Sequence, residues 1–170
     1  MQREVADSTQ SNDIHCSSSI LHINIRGFAK NSAELAAVIK DLGEKPCIIL
    51  VNETHQPKGL NPELPGYTLV DRRDRRDFGE PLENDGGIAV LVLSNLDRII
   101  SLAHKSKDAE RMWFCVNTDT TRLLLCCWYR RPHNGEVESI ISLEKEYLSL
   151  AQGYNHVRTI RFAPGYSPRS

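Results

Sequence analysis

Three polar residues stand at or near the ends of segments with the apolar pattern of β-strands. Asn24 lies in an alternating segment, Glu53 follows a run of apolar residues, and Tyr129 follows a longer apolar segment. Polar residues at strand ends can converge on one cleft. A carboxylate, an amide and a phenol suit a hard cation such as Mg²⁺ with a phosphate oxygen beside it. Each residue also has an ordinary structural interpretation, as a surface carboxylate, a hydrogen-bonding amide and an amphipathic group at the core edge.

The order of the elements that carry these residues predicts an α/β fold. A strand with period two precedes a helix, for which Asn31 or Ser32 is a suitable cap, and the strand that carries Glu53 follows. This strand-helix-strand order indicates an α/β unit. The apolar stripe of the helix is predicted to be Leu35, Val38, Ile39 and Leu42. The predicted strands are 20–26, 47–53, 67–70, 86–93, 99–102, 111–117, 122–129 and 157–162, and the predicted helices are 31–43 and 137–151.

A run of charged residues at 71–77 has no apolar periodicity. Its ordinary interpretation is a solvated loop with self-compensating charge. The functional alternative is contact with a phosphate backbone through some of its arginines. The arginines for which this role is predicted are Arg72, Arg73, Arg75 and Arg76, together with Arg130 and Arg131.

Length and charge limit the possible classes of protein. The 170 residues suffice for one domain. The net charge of −1 gives no overall positive field of the kind that is typical of nucleic-acid-binding proteins. We expect a domain over 19–162, with disordered segments at 1–18 and 163–170.

No apolar run reaches the length of a membrane span, and no secretory signal is visible. The lack of a C-x-x-C pair argues against zinc, and Cys47, Cys126 and Cys127 are predicted to be reduced core thiols of an intracellular protein.

Several short segments, in the same order along the chain, resemble the N-terminal part of endonuclease/exonuclease/phosphatase domains, the fold of the apurinic/apyrimidinic endonucleases. The Glu-Thr pair at a buried strand end, the Gly-Gly strand and the Tyr-Arg-x-Pro motif are fairly specific in combination. The last of these is most similar to the endonuclease domains of non-LTR retrotransposons. The matching segments are Leu21–Gly27, Lys45–Thr54, Leu64–Tyr67, Gly86–Val90 and Trp128–Pro132.

The resemblance implies a fold, a reaction and a role for each candidate residue. The fold is a four-layer α/β sandwich of the DNase I-like type, and the reaction is Mg²⁺- or Mn²⁺-dependent hydrolysis of a phosphodiester in DNA. Glu53 matches the metal-binding glutamate, Asn24 the asparagine that orders the site around metal and water, and Tyr129 the tyrosine that contacts the scissile phosphate. Intact retrotransposon relatives carry a fused reverse transcriptase, and no membrane partner is implied.

The sequence departs from the family pattern in its second half. Arg26 stands where apurinic endonucleases carry an aspartate, and no aspartate occurs after Asp119. The family's Gly-Asp-x-Asn and Ser-Asp-His motifs are therefore missing, since His156 is flanked by Asn155 and Val157. The groups that activate water are absent with them. We expect a C-terminally truncated or frameshifted domain that is inactive on its own.

Two alternatives use the same early motifs. The first is a non-catalytic remnant that binds nucleic acid through its arginines, and it would lose affinity steeply as salt rises. The second is a lipid or inositol phosphatase branch of the superfamily. The Tyr-Arg-x-Pro motif favours the retrotransposon type over this phosphatase branch.

Overall fold

Two four-stranded sheets form the centre of the computed structural model, which describes residues 19–75, 86–118, 121–130, 136–152 and 158–160. The segments 1–18 and 163–170, predicted to be disordered, lie outside the described residues. The elements are β1 Ile20–Asn24, α1 Phe28–Asp41, β2 Ile48–Asn52, β3 Tyr67–Arg73, β4 Ile88–Leu93, a 3₁₀ segment Ser94–Ile99, β5 Ile100–Lys105, β6 Arg111–Asn117, β7 Arg122–Trp128, α2 Glu136–Ala151 and β8 Arg158–Ile160.

Each sheet mixes parallel and antiparallel strands. The first has the order β1-β2-β4-β3, in which β1 and β2 are parallel and the other pairs are antiparallel. The second has the order β5-β6-β7-β8, in which only β7 and β8 are parallel. Parallel β1 and β2 are joined through α1, because parallel neighbours need a crossover connection. The ends of β1 and β2 therefore lie side by side.

The alternation of side chains divides the core into two layers. Leu50 of β2 and Phe114 of β6 belong to the cluster between the two sheets. Ile49 and Val51 of β2 point the other way and pack with Leu35 of α1. Because β2 is covered on both faces, it is apolar without alternation.

Helix α2 covers the outer face of the second sheet. Glu146 of this helix accepts hydrogen bonds from Arg111 Nε and Trp113 Nε1, both at 2.7 Å, and the rings of Trp113 and Tyr147 are 6.3 Å apart. The layers therefore follow the order α1, first sheet, second sheet, α2, and the predicted four-layer sandwich is confirmed. No helix among the described residues is long and apolar enough to cross a membrane.

Helix α1 begins earlier than predicted. Its N-cap is Gly27, with φ of 104°, and Asn31 does not cap it. The Asn31 side-chain amide instead donates to the carbonyls of Ile25 and Arg26, which ties the helix to the end of β1. The predicted apolar stripe is half wrong, because Leu35 and Ile39 are buried whereas Val38 and Leu42 are exposed.

Two further expectations are corrected. The charge run is not a solvated loop over its described part, because β3 extends through Arg73, and Arg73, Asp74 and Arg75 are buried.

Cys126 is a free thiol and Cys127 is a free, buried thiol, but Cys47 is in a disulfide bond. The apolar run around Cys47 correctly indicated burial, which by itself does not determine the oxidation state.

Candidate active site between the two sheets

Glu53 occupies the first position after β2, in a left-handed backbone conformation with φ of 54°. Backbone hydrogen bonds hold this position from both sides. Gly27 N donates to Glu53 O at 2.8 Å and Phe28 N to Thr54 O at 2.7 Å, whereas Thr54 N donates to Gly87 O at 3.1 Å. Such a conformation is unfavourable for a residue with a side chain and persists only where neighbouring structure determines it. Glu53 is thus aimed by segments on either side of β2.

Tyr129 comes from the second sheet and meets Glu53 across the gap between the sheets. It directly follows β7, and its Oη donates a hydrogen bond to Glu53 Oε1 at 2.6 Å. Burial raises the pKa of Tyr129 to about 12, and the hydrogen bond and the charges of Glu53 and Glu110 act in the same direction, against Arg75. The phenol therefore stays protonated and remains a hydrogen-bond donor at physiological pH.

Asn24 lies at the end of β1, beside the end of β2. It is exposed, it pairs in register with Asn52, and its Oδ1 accepts a hydrogen bond from Arg26 N at 3.3 Å. Asn52 is buried directly before Glu53, and Cys127 Sγ donates to its Oδ1 at 3.9 Å. His22 also hydrogen-bonds Asn52, but burial outweighs this bond and lowers the pKa of His22. All three predicted strand-end residues thus lie at one end of the sandwich, and a direct bond joins Glu53 and Tyr129.

A buried ion pair, which the sequence analysis missed, lies behind this contact. Glu110 is 4% exposed, and its Oε1 accepts from Arg75 Nε at 2.5 Å. Its Oε2 accepts from Gly87 N at 3.1 Å, and its main-chain carbonyl accepts from Tyr129 N at 2.9 Å. One signal was available in the sequence, since Glu110 directly precedes the apolar strand β6 as a carboxylate at a strand end.

The predicted phosphate-contacting arginines differ in their surroundings. Arg73 and Arg75 are buried, and Arg75 binds Glu110. Arg72 forms an ion pair with Asp74 at 3.1 Å and also donates to the Leu60 carbonyl. Arg130 follows Tyr129 and is half-buried. The other two, Arg76 and Arg131, lie outside the described residues.

Comparison of the fold with solved structures decides what this arrangement resembles. An AP endonuclease from Leishmania major aligns with 81% of the chain at a TM-score of 0.50 and 16% identity. An endonuclease/exonuclease/phosphatase family protein from Leptotrichia buccalis aligns with 82% at a TM-score of 0.52 and 12% identity. The chain has the endonuclease/exonuclease/phosphatase fold. The predicted resemblance is confirmed at this level.

A retrotransposon protein shares the same fold. The endonuclease domain of TRAS1, a telomere-specific non-LTR retrotransposon, aligns with 77% of the chain at a TM-score of 0.50 and 12% identity. The chain spans 47%, 64% and 54% of the Leishmania, Leptotrichia and TRAS1 chains respectively, so it covers about half of the length of these structures. Neither a protein-family model nor a curated protein matches the sequence.

The donor atoms around Glu53 suit a cation that needs few protein ligands. Within the described ranges, no cluster of three or more His, Cys, Asp or Glu side chains is arranged to hold a metal ion. Mg²⁺ commonly binds through one or two carboxylates, with waters and substrate phosphates completing its coordination. The single carboxylate of Glu53 fits this way of binding Mg²⁺. One carboxylate does not suit a metal ion that needs all of its ligands from the protein.

Proposed function

We propose that the chain is an endonuclease-like, metal-dependent phosphodiesterase domain for DNA, whose site is incomplete in this chain alone. The observation that carries the proposal is the 2.6 Å contact between Tyr129 Oη and Glu53 Oε1, which brings the ends of β2 and β7 together. A carboxylate and a neutral phenol at one end of the sandwich suit a metal-bound phosphodiester. The fold shared with an AP endonuclease and a retrotransposon endonuclease supports this assignment.

The proposed roles follow from the chemistry of the side chains. Glu53 would hold a divalent cation, Mg²⁺ or Mn²⁺, which when bound supplies a positive charge that offsets charge developing on the phosphate. Tyr129 keeps its proton and donates it in a hydrogen bond, first to Glu53 and then to a phosphate oxygen once substrate is present. The exposed amide of Asn24 would bind water or phosphate at the end of β1. Arg130 and Arg72 are the proposed contacts to flanking phosphates.

We propose further that this chain alone does not cleave DNA. Hydrolysis needs a group that takes a proton from the attacking water. Of the two carboxylates that the structure places beside Tyr129, Glu53 is proposed to hold the cation and Glu110 is occupied by Arg75 and Gly87. The sequence after Asp119 contains no aspartate that could serve.

A nicking assay on supercoiled plasmid tests the incomplete site. Wild type, Glu53→Ala and the control Glu138→Ala, an exposed position on α2, are compared with Mg²⁺ and with Mn²⁺. We expect no nicking from any of the three. Nicking by wild type and by Glu138→Ala, but not by Glu53→Ala, would show that the chain builds a working site, and the proposed inactivity would then be wrong.

Fluorescence anisotropy with a short DNA duplex at low salt tests the DNA assignment separately. We expect Mg²⁺ to strengthen binding by wild type, and Glu53→Ala to abolish that gain. Tyr129→Phe should weaken binding by roughly tenfold, the effect of one hydrogen bond to a charged group. Arg130→Ala should reduce the salt slope by about one, as expected for one lost phosphate contact. Absence of binding by folded wild type at low salt would overturn the DNA assignment.

A further inference from the structure

Glu110 contacts both sides of the candidate site. Its carboxylate binds Gly87 N and Arg75 Nε, at 3.1 Å and 2.5 Å, and its main-chain carbonyl binds Tyr129 N at 2.9 Å. The residue lies directly before β6, in the second sheet, whereas Gly87 leads into β4 of the first sheet. Glu110 is therefore a direct hydrogen-bonded link between the two sheets at the end where the site lies.

The contacts of Glu110 lead to Glu53 through one intermediate segment. The carbonyl of Gly87 accepts from Thr54 N at 3.1 Å, and the carbonyl of Gly86 accepts from His55 N at 2.9 Å. Thr54 and His55 directly follow Glu53, so the glycine pair fixes the backbone that carries the Glu53 carboxylate. By binding Gly87, Glu110 holds this backbone in place, and through its carbonyl it also holds Tyr129.

Arg75 packs against the glycine pair and also neutralises the charge of Glu110. A Cβ atom built on Gly86 would clash with the Arg75 guanidinium, so this guanidinium packs directly against the glycine. A buried carboxylate is costly unless a charge and hydrogen bonds satisfy it, and Glu110 has both. Losing its charge should therefore loosen the glycine pair as well as the ion pair.

We propose that Glu110 is a positioning residue that holds Tyr129 Oη against the Glu53 carboxylate. Glu110 itself contacts neither substrate nor metal in this proposal. The inference rests on the proposed function only in taking Glu53 and Tyr129 as the site, and it concerns a geometry that can be measured without DNA.

A double-mutant cycle measures that geometry. The unfolding constant is determined by urea denaturation for wild type, Tyr129→Phe, Glu53→Gln and the double variant. In the wild-type background we expect a coupling of about tenfold between the two positions, as is typical of residues in direct contact. In the Glu110→Gln background, which keeps the side-chain length and the carbonyl bonded to Tyr129 N, we expect the coupling to fall below about twofold.

Glu146→Gln is the matched control background. Glu146 is also a carboxylate paired with a buried arginine, Arg111, but it binds the outer face of the second sheet. This variant should lower stability and leave the coupling between Tyr129 and Glu53 near tenfold. Unchanged coupling in the Glu110→Gln background would overturn the proposal, and so would an equal loss of coupling in both backgrounds.

A second variant covers the case in which Glu110→Gln does not fold. Arg75→Gln removes the charge partner, and the same cycle in that background should again give a coupling below about twofold; unchanged coupling would overturn the proposal. If coupling is lost in the Glu110→Gln background but wild type binds no DNA, the proposed function is wrong and the positioning role stands. If coupling is kept in that background and wild type binds DNA, the positioning role is wrong and the proposed function stands.

Discussion

The pH dependence of stability tests the half-buried position of Tyr129 beside Glu53. The pKa of Tyr129 is raised to about 12, so the folded state holds this proton more tightly than the unfolded chain, whose tyrosines titrate near 10. Below pH 10 both states are protonated, and the stabilisation is complete. Between pH 10 and about 12 only the unfolded state loses the proton, so stability falls as pH rises. We expect the free energy of unfolding of wild type to fall more steeply over this range than that of Tyr129→Phe.

Urea denaturation at a series of pH values measures this difference. The other titrating groups are common to both proteins, so their contributions cancel in the comparison. Tyr129→Phe should differ from wild type by up to one bound proton in the slope. Parallel curves for the two proteins would mean that the phenol is neither buried nor bonded to Glu53 in solution.

The positions of Glu53 and Tyr129 at strand ends are visible in the sequence as polar residues after apolar segments. Their roles are implied only by the family resemblance and stay predictions. The distance between them could not be predicted, because it depends on how two sheets pack. Glu110 is also a carboxylate at a strand end, directly before β6, but the sequence does not identify it. Its partners Arg75 and Gly87 are distant in the chain, and only the fold brings them together.

The glycine pair before β4 fixes the backbone that follows β2. A Cβ on Gly87 would lie 2.5 Å from Thr54 Oγ1, and Gly87 has φ of 86°. We expect Gly87→Ala to lower the free energy of unfolding by more than about 2 kcal/mol, the upper range for left-handed backbone strain alone. Gly59→Ala separates the two causes, because Gly59 has φ of 82° with no atom within 4 Å of a built Cβ. Equal losses in the two variants, measured by urea denaturation, would show that contact with Thr54 is unimportant.

Helix α2 depends on a single carboxylate for much of its polar attachment. Hydrogen bonds from Arg111, Ser106 and Trp113 outweigh the cost of burial and lower the pKa of Glu146. The stabilisation is complete above the ordinary glutamate pKa near 4.5 and is lost as pH falls through the lowered pKa of the folded state. We expect Glu146→Gln to lose roughly 3 kcal/mol at neutral pH, because the buried Arg111 loses its partner.

Chemical denaturation followed by circular dichroism measures this loss. Glu144→Gln, at an exposed position on the same helix, should change the free energy of unfolding by less than about 0.5 kcal/mol. The difference between the two variants should shrink below pH 4.5. A pH-independent difference would contradict the role of the Glu146 charge.

Element boundaries show where local patterns stop being sufficient. The strands around Glu53 and Tyr129 could be predicted from apolar runs alone. The start of α1 could not, because the Asn31 amide binds the carbonyls that end β1 instead of capping the helix. The solvated loop predicted for the charge run is wrong over its described part for a similar reason. Arg75 is buried because Glu110, directly before a strand of the other sheet, supplies the charge that makes its burial possible.

The outer face of α2 presents apolar side chains to solvent. These residues are exposed to between 44% and 65%, and their spacing puts them along one side of the helix. They are Val137, Ile140, Ile141 and Leu148. Contiguous apolar surface of this kind favours association, and a net charge of −1 provides little repulsion between copies.

We therefore expect the protein to self-associate with rising concentration and to bind a hydrophobic dye. The double variant Ile140→Lys/Leu148→Lys should reduce both effects, because it places charges on the apolar face. Its free energy of unfolding should stay within about 0.5 kcal/mol, since exposed positions contribute little. Leu60→Lys is the matched control, since Leu60 is an exposed leucine in a loop away from α2. Sedimentation velocity that finds wild type monomeric at all concentrations would show that this face does not drive association.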